Sequence, residues 1–155
     1  MRGGGVSADG LVCAICHAAV LRRNLLADGR PVGAGQAAAH IVPSTLNRAI
    51  GRTADSRAIL SRYGVDIDEA ANGIPLNHSR PHNFTHRNPF LLRLNQHLAA
   101  TERAGLARGL TNQQIGDTIR QELREIGRQV THELSPSQMV NSMPAPTARW
   151  TRLTF

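Results

Sequence analysis

A chain of 155 residues has room for one domain with a modest core. With only three Phe, one Tyr and one Trp, that core must come from aliphatic residues on helices, and an aromatic stacking platform for single-stranded nucleic acid is not expected. The net charge is +7 and all 18 basic residues are arginine. Codon bias accounts equally well for the choice of arginine over lysine, but the net charge favours a polyanionic partner.

The opening Met1-Arg2-Gly3-Gly4-Gly5 carries no hydrophobic region of the secretory type, so no Sec leader is expected, and no apolar stretch approaches a membrane span. Residues 10–27 read as a first, buried helix, capped by Ser7 or Asp9 and stopped at Gly29. Within it, Cys13-Ala-Ile-Cys16-His17 has the spacing of a c-type haem attachment site. Haem is not expected, because no apolar, aromatic pocket is visible. Small buried thiols are the preferred reading, and a zinc site would need further ligands beyond the two cysteines and His17.

Residues 30–36 carry Pro31, Gly33 and Gly35 and read as loop, leading to a short strand over 38–42 that Pro43 stops. Residues 55–63 suit a short helix ended by Gly64. Asn72-Gly73 is a hairpin-type turn, which makes 74–76 the second strand of a β-hairpin. Pro89 opens a helix in which Phe90, Leu91, Leu94 and Leu98 fall at helical spacing to about residue 104. Thr111 with Gln114 forms a capping box, and Ile115, Ile119, Leu123, Ile126 and Val130 mark the apolar stripe of a final helix to about residue 134. Residues 135–155 look irregular, with Trp150, Leu153 and Phe155 as docking groups. The whole reads as one mainly helical α+β domain.

Several of these features form an ordered set: Ala37-Ala38-Ala39-His40-Ile41-Val42-Pro43, Tyr63-Gly64-Val65-Asp66-Ile67-Asp68, Asn72-Gly73-Ile74-Pro75-Leu76, and then His82 and His86 before Pro89-Phe90. Over about residues 30–100 this set resembles the HNH/endonuclease VII superfamily of nucleases. Within it, the likeness is to the AHH branch, common among toxin domains that bacteria deliver into competitors. The resemblance implies a small ββα-metal core with flanking helices and a metal-dependent DNA endonuclease. His40 matches the general base that deprotonates water, a task suited to a neutral imidazole. Asn72 matches the asparagine that helps fix the base and its loop. His82 and His86 match the metal-binding histidines, and their spacing places both on one face if the backbone is helical. One divalent ion is implied, as magnesium, zinc, nickel or manganese.

Arg48, Arg52, Arg57, Arg80, Arg87 and Arg93 flank the set and are candidate phosphate contacts, while Arg120, Arg124 and Arg128 read as solvated or partner-facing. Each residue also has a plainer reading, since a lone histidine is more often a hydrogen-bonded core residue, Asn-Gly more often a turn, and His-x-x-x-His a frequent false positive. The order of the whole set is what outweighs them.

The branch motif reads Ala-His-His, and its middle position, a metal ligand, is here Ala39, so a ligand is absent at a ligand position. That implies a catalytically weakened or inactivated enzyme, by natural decay or by deliberate replacement; retention of the rest of the frame favours replacement. As a toxin effector the domain would have a DNA substrate and a cognate immunity protein. It would be delivered without a Sec signal in this chain and act in the target-cell cytoplasm. The competing readings are a nuclease-derived module that binds nucleic acid or a partner without cutting, and a phage or mobile-element enzyme.

Overall fold

A computed structural model describes residues 8–78 and 82–133. The element order is α1 (Ala8–Ala27), β1 (Gln36–His40), α2 (Thr53–Arg62), a 3-10 turn (Ala70–Asn72), β2 (Gly73–Asn77), a second 3-10 turn (His82–His86), α3 (Asn88–Ala107) and α4 (Asn112–Glu133). This is the mainly helical α+β architecture expected, and its antiparallel strand pair with the following turn and helix is consistent with a ββα-metal core. The tail over 135–155 and Arg80 lie outside the described residues.

β1 and β2 pair in the register Gln36↔Asn77, Ala38↔Pro75 and His40↔Gly73. Alternation along the strands gives the sheet two different faces. Ala39, Ile74 and Leu76 join the main aliphatic core with α3 and α4. Ala38 instead packs with Leu21 and Leu25 of α1. Gly73 lies on that α1 side too, where an added Cβ would stand 2.6 Å from Leu21 Cδ1.

The Asn72-Gly73 pair is not the tip between the strands. Residues 41–72, with α2 inside them, make that connection, and Gly73 is extended at φ −121° and ψ 146° as the first residue of β2. The carboxamide of Asn72 is engaged with the chain on either side, so the dipeptide never closes a two-residue turn.

α4 buries Ile115, Ile119, Leu123, Ile126 and Val130, as its period predicts, against Leu91, Leu94 and Leu98 of α3. Its start carries the reciprocal capping box, with Gln114 N–H donating to Thr111 Oγ1 at 3.3 Å and Thr111 N–H to Gln114 Oε1 at 2.9 Å. Arg124 grips both carboxylate oxygens of Asp28 at 2.8 Å, holding α4 to the end of α1 and pulling the Asp28 carboxyl down to about 2. Arg120 pairs with Glu69 and Arg128 with Glu125, so the basic residues of α4 are engaged within the chain.

α1 departs from expectation. From Cys16 onward, where its side chains are described, it buries the narrow line of Leu21 and Leu25, spaced by four, while Cys16, Ala18 and Ala19 are exposed. The expected buried thiol is therefore a surface group at Cys16: an apolar run without helical period does not show which side is covered.

Gly116 lets α4 pass against the end of α2, where an added Cβ would meet the Tyr63 carbonyl oxygen, a backbone atom that cannot swing aside. Gly116→Ala, which in an exposed helix would stabilise through propensity, is expected instead to cost about 1–3 kcal/mol of overpacking. Urea denaturation at neutral pH checks the sign.

Candidate active site

His40 closes β1 and is 9% exposed. Its Nε2 lies 2.8 Å from Asp68 Oδ1, and the other carboxylate oxygen of Asp68 lies 2.7 Å from His17 Nδ1 on α1. A carboxylate oxygen only accepts, so His40 Nε2 carries the proton and donates it, and Nδ1 keeps its lone pair. Burial pushes the His40 pKa below its ordinary value, opposed by Asp68 and reinforced by His17. His40 is thus neutral and oriented, the state that a residue accepting a proton from water requires.

Asp68 is set for this by its own neighbours. Its N–H donates to Asp66 Oδ1 at 2.8 Å, and its carbonyl accepts from Asn24 Nδ2 at 2.8 Å. Sequence reasoning named Asp68 only as part of a lead-in, and considered His17 only as a haem or zinc ligand. Carboxylates two apart just before the asparagine motif were the available signal; the link to α1 is tertiary.

Asn72 is fully buried. Its Oδ1 accepts the Val42 N–H at 2.8 Å, and its Nδ2 donates to Val42 O at 3.0 Å and Ile67 O at 2.8 Å. Ile41 N–H donates to the Asn72 carbonyl at 2.8 Å, extending the ladder past β1. The residue acts as a brace that holds the chain leaving His40 to the chain arriving at Asp68.

His82 and His86 open and close the second 3-10 turn, with ring centroids 4.8 Å apart and edge to face. The turn is tighter than the α-helical backbone on which a shared face was expected, yet it brings the two rings together. Thr85 Oγ1 donates to His82 O at 2.8 Å, and Phe84 stacks edge-on against Phe90, which docks the turn on α3. His78 adds a third ring, 5.7 Å from His82. It was missed, although the repeat of four from His78 to His82 to His86 is plain in the sequence.

His82 Nδ1 is buried with no hydrogen-bond partner among the described residues. Burial, then His86, His78 and His40, brings its pKa down to about 4. The His86 pKa is lowered by burial, Arg48 and His40. Neutral imidazoles with a nitrogen lacking a partner fit a metal better than they fit a hydrogen-bonded core. The set is short, however: among the described residues no three His, Cys, Asp or Glu side chains gather closely enough to hold an ion. Ala39 is fully buried in the aliphatic core and offers no donor.

Beside the turn a cleft of about 570 Å³ is lined by Arg48, Asn83, His86, Arg87, Asn88 and Pro89. Arg48 and Arg87 are exposed there, with the Arg87 guanidinium 5.7 Å above the Phe84 ring. The remaining arginines do other work. Arg57 donates to the carbonyls of Pro43 at 3.1 Å and Leu46 at 3.0 Å, bracing the loop after β1 rather than standing free for phosphate. Arg52 pairs with Asp55 at 2.6 Å, and Arg93 lies partly buried on α3.

The lowered histidine pKa values have a stability consequence. Between about 4, the folded value of His82, and its ordinary 6.5, the unfolded chain binds more protons at this residue than the folded one. Its contribution is therefore full above 6.5 and lost as pH falls toward 4. Urea midpoints taken from pH 7 to pH 4.5 are expected to fall, and less steeply in His82→Gln.

No curated protein and no solved structure gives a significant match to the chain. A family model does, over residues 20–130: a nuclease family of the HNH/ENDO VII superfamily with conserved AHH. The segment contains His40, Asp68, Asn72, His82 and His86, and reads Ala38-Ala39-His40 at the end of β1. The match spans most of the chain, and the chain belongs to this AHH nuclease family of phosphodiester hydrolases.

Proposed function

We propose that the domain is a metal-dependent DNA endonuclease that serves as an antibacterial toxin effector, and that Ala39 leaves this chain weakened or inactive. The observation that carries the reading is the neutral His40, held through Nε2 by Asp68, within electrostatic reach of the neutral His82 and His86.

In this reading Nδ1 of His40 takes a proton from a water as the water oxygen bonds to phosphorus and the bond to the 3′ oxygen breaks. Asp68 stabilises the imidazolium that results. Asn72 keeps the two chain segments in register while this happens. Arg48 and Arg87 neutralise phosphates in the cleft, contacts that position the backbone and carry no base information. His82 and His86 would hold one divalent ion (magnesium, zinc, nickel or manganese), which when bound supplies charge at the scissile phosphate.

Two imidazoles hold a cation more weakly than three, and loss of a direct ligand costs activity. The alternative reading, a module that grips nucleic acid or a partner without cutting, draws support from the same short donor set. Resemblance to the toxin branch supports delivery into a target-cell cytoplasm and a cognate immunity protein, and co-expression with a candidate inhibitor tests that part.

Plasmid cleavage is compared for the chain, Ala39→His and His40→Ala, each with EDTA, magnesium, zinc, nickel or manganese. Ala39→His is expected to raise metal-dependent nicking at least about tenfold, while costing about 1–3 kcal/mol of stability for a ring forced into the core. His40→Ala in the revertant background is expected to lower the rate by about 100-fold or more. Inactivity of both the chain and the revertant moves the weight to the binding module instead. For the cleft, Arg48→Ala and Arg87→Ala are each expected to flatten the salt dependence of DNA binding by about one unit of log slope.

A further inference from the structure

His17 lies before the segment that the family model covers, on a helix that enters that segment only with its last turns, and yet it touches the carboxylate that holds His40. We infer that α1 is a positioning element of this active site and that His17, by sharing Asp68 with His40, fixes the orientation and tautomer of the base. The inference rests on the reading of His40 as that base.

The geometry is specific. Asp68 offers one oxygen to His17 Nδ1 at 2.7 Å and the other to His40 Nε2 at 2.8 Å, with its side chain 11% exposed. Its backbone is held separately, by Asn24 from α1 at the carbonyl and by Asp66 at the N–H. Among the described residues, the two histidines are therefore what sets the rotation of the carboxylate, a torsion that is intrinsically broad. Remove His17 and the carboxylate can rotate away from His40. The His40 ring then loses the fixed acceptor that keeps the proton on Nε2.

Contact between the rings, 6.4 Å between centroids at 84°, adds a steric stop on the same side. Leu21 and Leu25 anchor α1 to Ala38, two residues before the base. His17 touches no reacting atom and is a positioning residue.

The test reads His40 directly. Nitrogen-15 spectra of the histidine rings are recorded for the full chain, His17→Ala and His17→Asn, with circular dichroism to verify folding. His40 is expected as a single tautomer protonated at Nε2 in the full chain. In His17→Ala a second population protonated at Nδ1 should appear. His17→Asn should restore the single form, because its Nδ2 takes the place of His17 Nδ1 and donates to Asp68.

Should His17→Ala fail to fold, His17→Gln takes its place, since it carries its amide one carbon beyond that position. A folded His17→Ala or His17→Gln with an unchanged single tautomer overturns the inference. This readout needs neither DNA nor metal, so it stands when cleavage is absent. Mixed tautomers together with an inactive Ala39→His revertant would mean that the base reading fails while the positioning holds. Where cleavage is measurable, His17→Ala should lower kcat about tenfold with KM unchanged, and His17→Asn should recover it; an unchanged kcat would overturn the catalytic half of the inference.

Discussion

The site depends on one buried carboxamide. Asn72 reaches Val42 on the chain leaving β1 and the partly buried Ile67 on the chain approaching β2, and Asn72 and Val42 are fully shielded from water. Leaving any of them unmade would cost about 1–3 kcal/mol each, so the two segments have little freedom to slide. Those segments carry His40 on one side and Asp68 on the other. The register that Asn72 imposes is thus what brings a histidine and a carboxylate separated by 28 positions to 2.8 Å.

Around this brace, burial and charge pull in different directions and divide the work. Desolvation keeps His40, His82 and His86 neutral, while the exposed Arg48 and Arg87 lie at the cleft that His86 also lines. The charge of Arg48 further disfavours protonation of His86. Lone pairs on these imidazoles are thereby kept free of protons. Most other basic side chains with visible partners are engaged in holding elements together, as Arg57, Arg120 and Arg124 are. The surplus charge of the chain is a poor guide to where nucleic acid would sit; the position of the exposed arginines that line the cleft is a better one.

Features legible in the sequence were those whose partners are close along the chain. The Thr111 and Gln114 box, the stripe of α4 and the glycine stops at Gly29 and Gly64 require only local geometry, and they appear where expected. The histidines and Asn72 were legible as an ordered pattern, and the structure brings His40 beside Asp68 and His82 beside His86. The engagement of His17 was not legible, because nothing within α1 reveals that its 17th residue meets the 68th. The exposure of Cys16 was hidden for a related reason: the run around it is apolar on all sides. Asn72-Gly73 misled in the opposite way, since a dipeptide suited to a tight turn was taken up by longer-range bonds.

Strand geometry also separates the two jobs that adjacent residues of β1 are asked to do. Ala39 points with Ile74 and Leu76 toward α3 and α4, whereas Ala38 lies on the side of α1. Alternation sends His40, the next residue but one, to the α1 side as well, where Asp68 and His17 receive it. As the last residue of the strand it still lies near enough to His82 and His86 to perturb both. A donor at position 39 would come from the core side and share none of the hydrogen bonds that orient His40. In the proposed reading, an alanine there takes away a metal ligand and leaves the orientation of His40 intact.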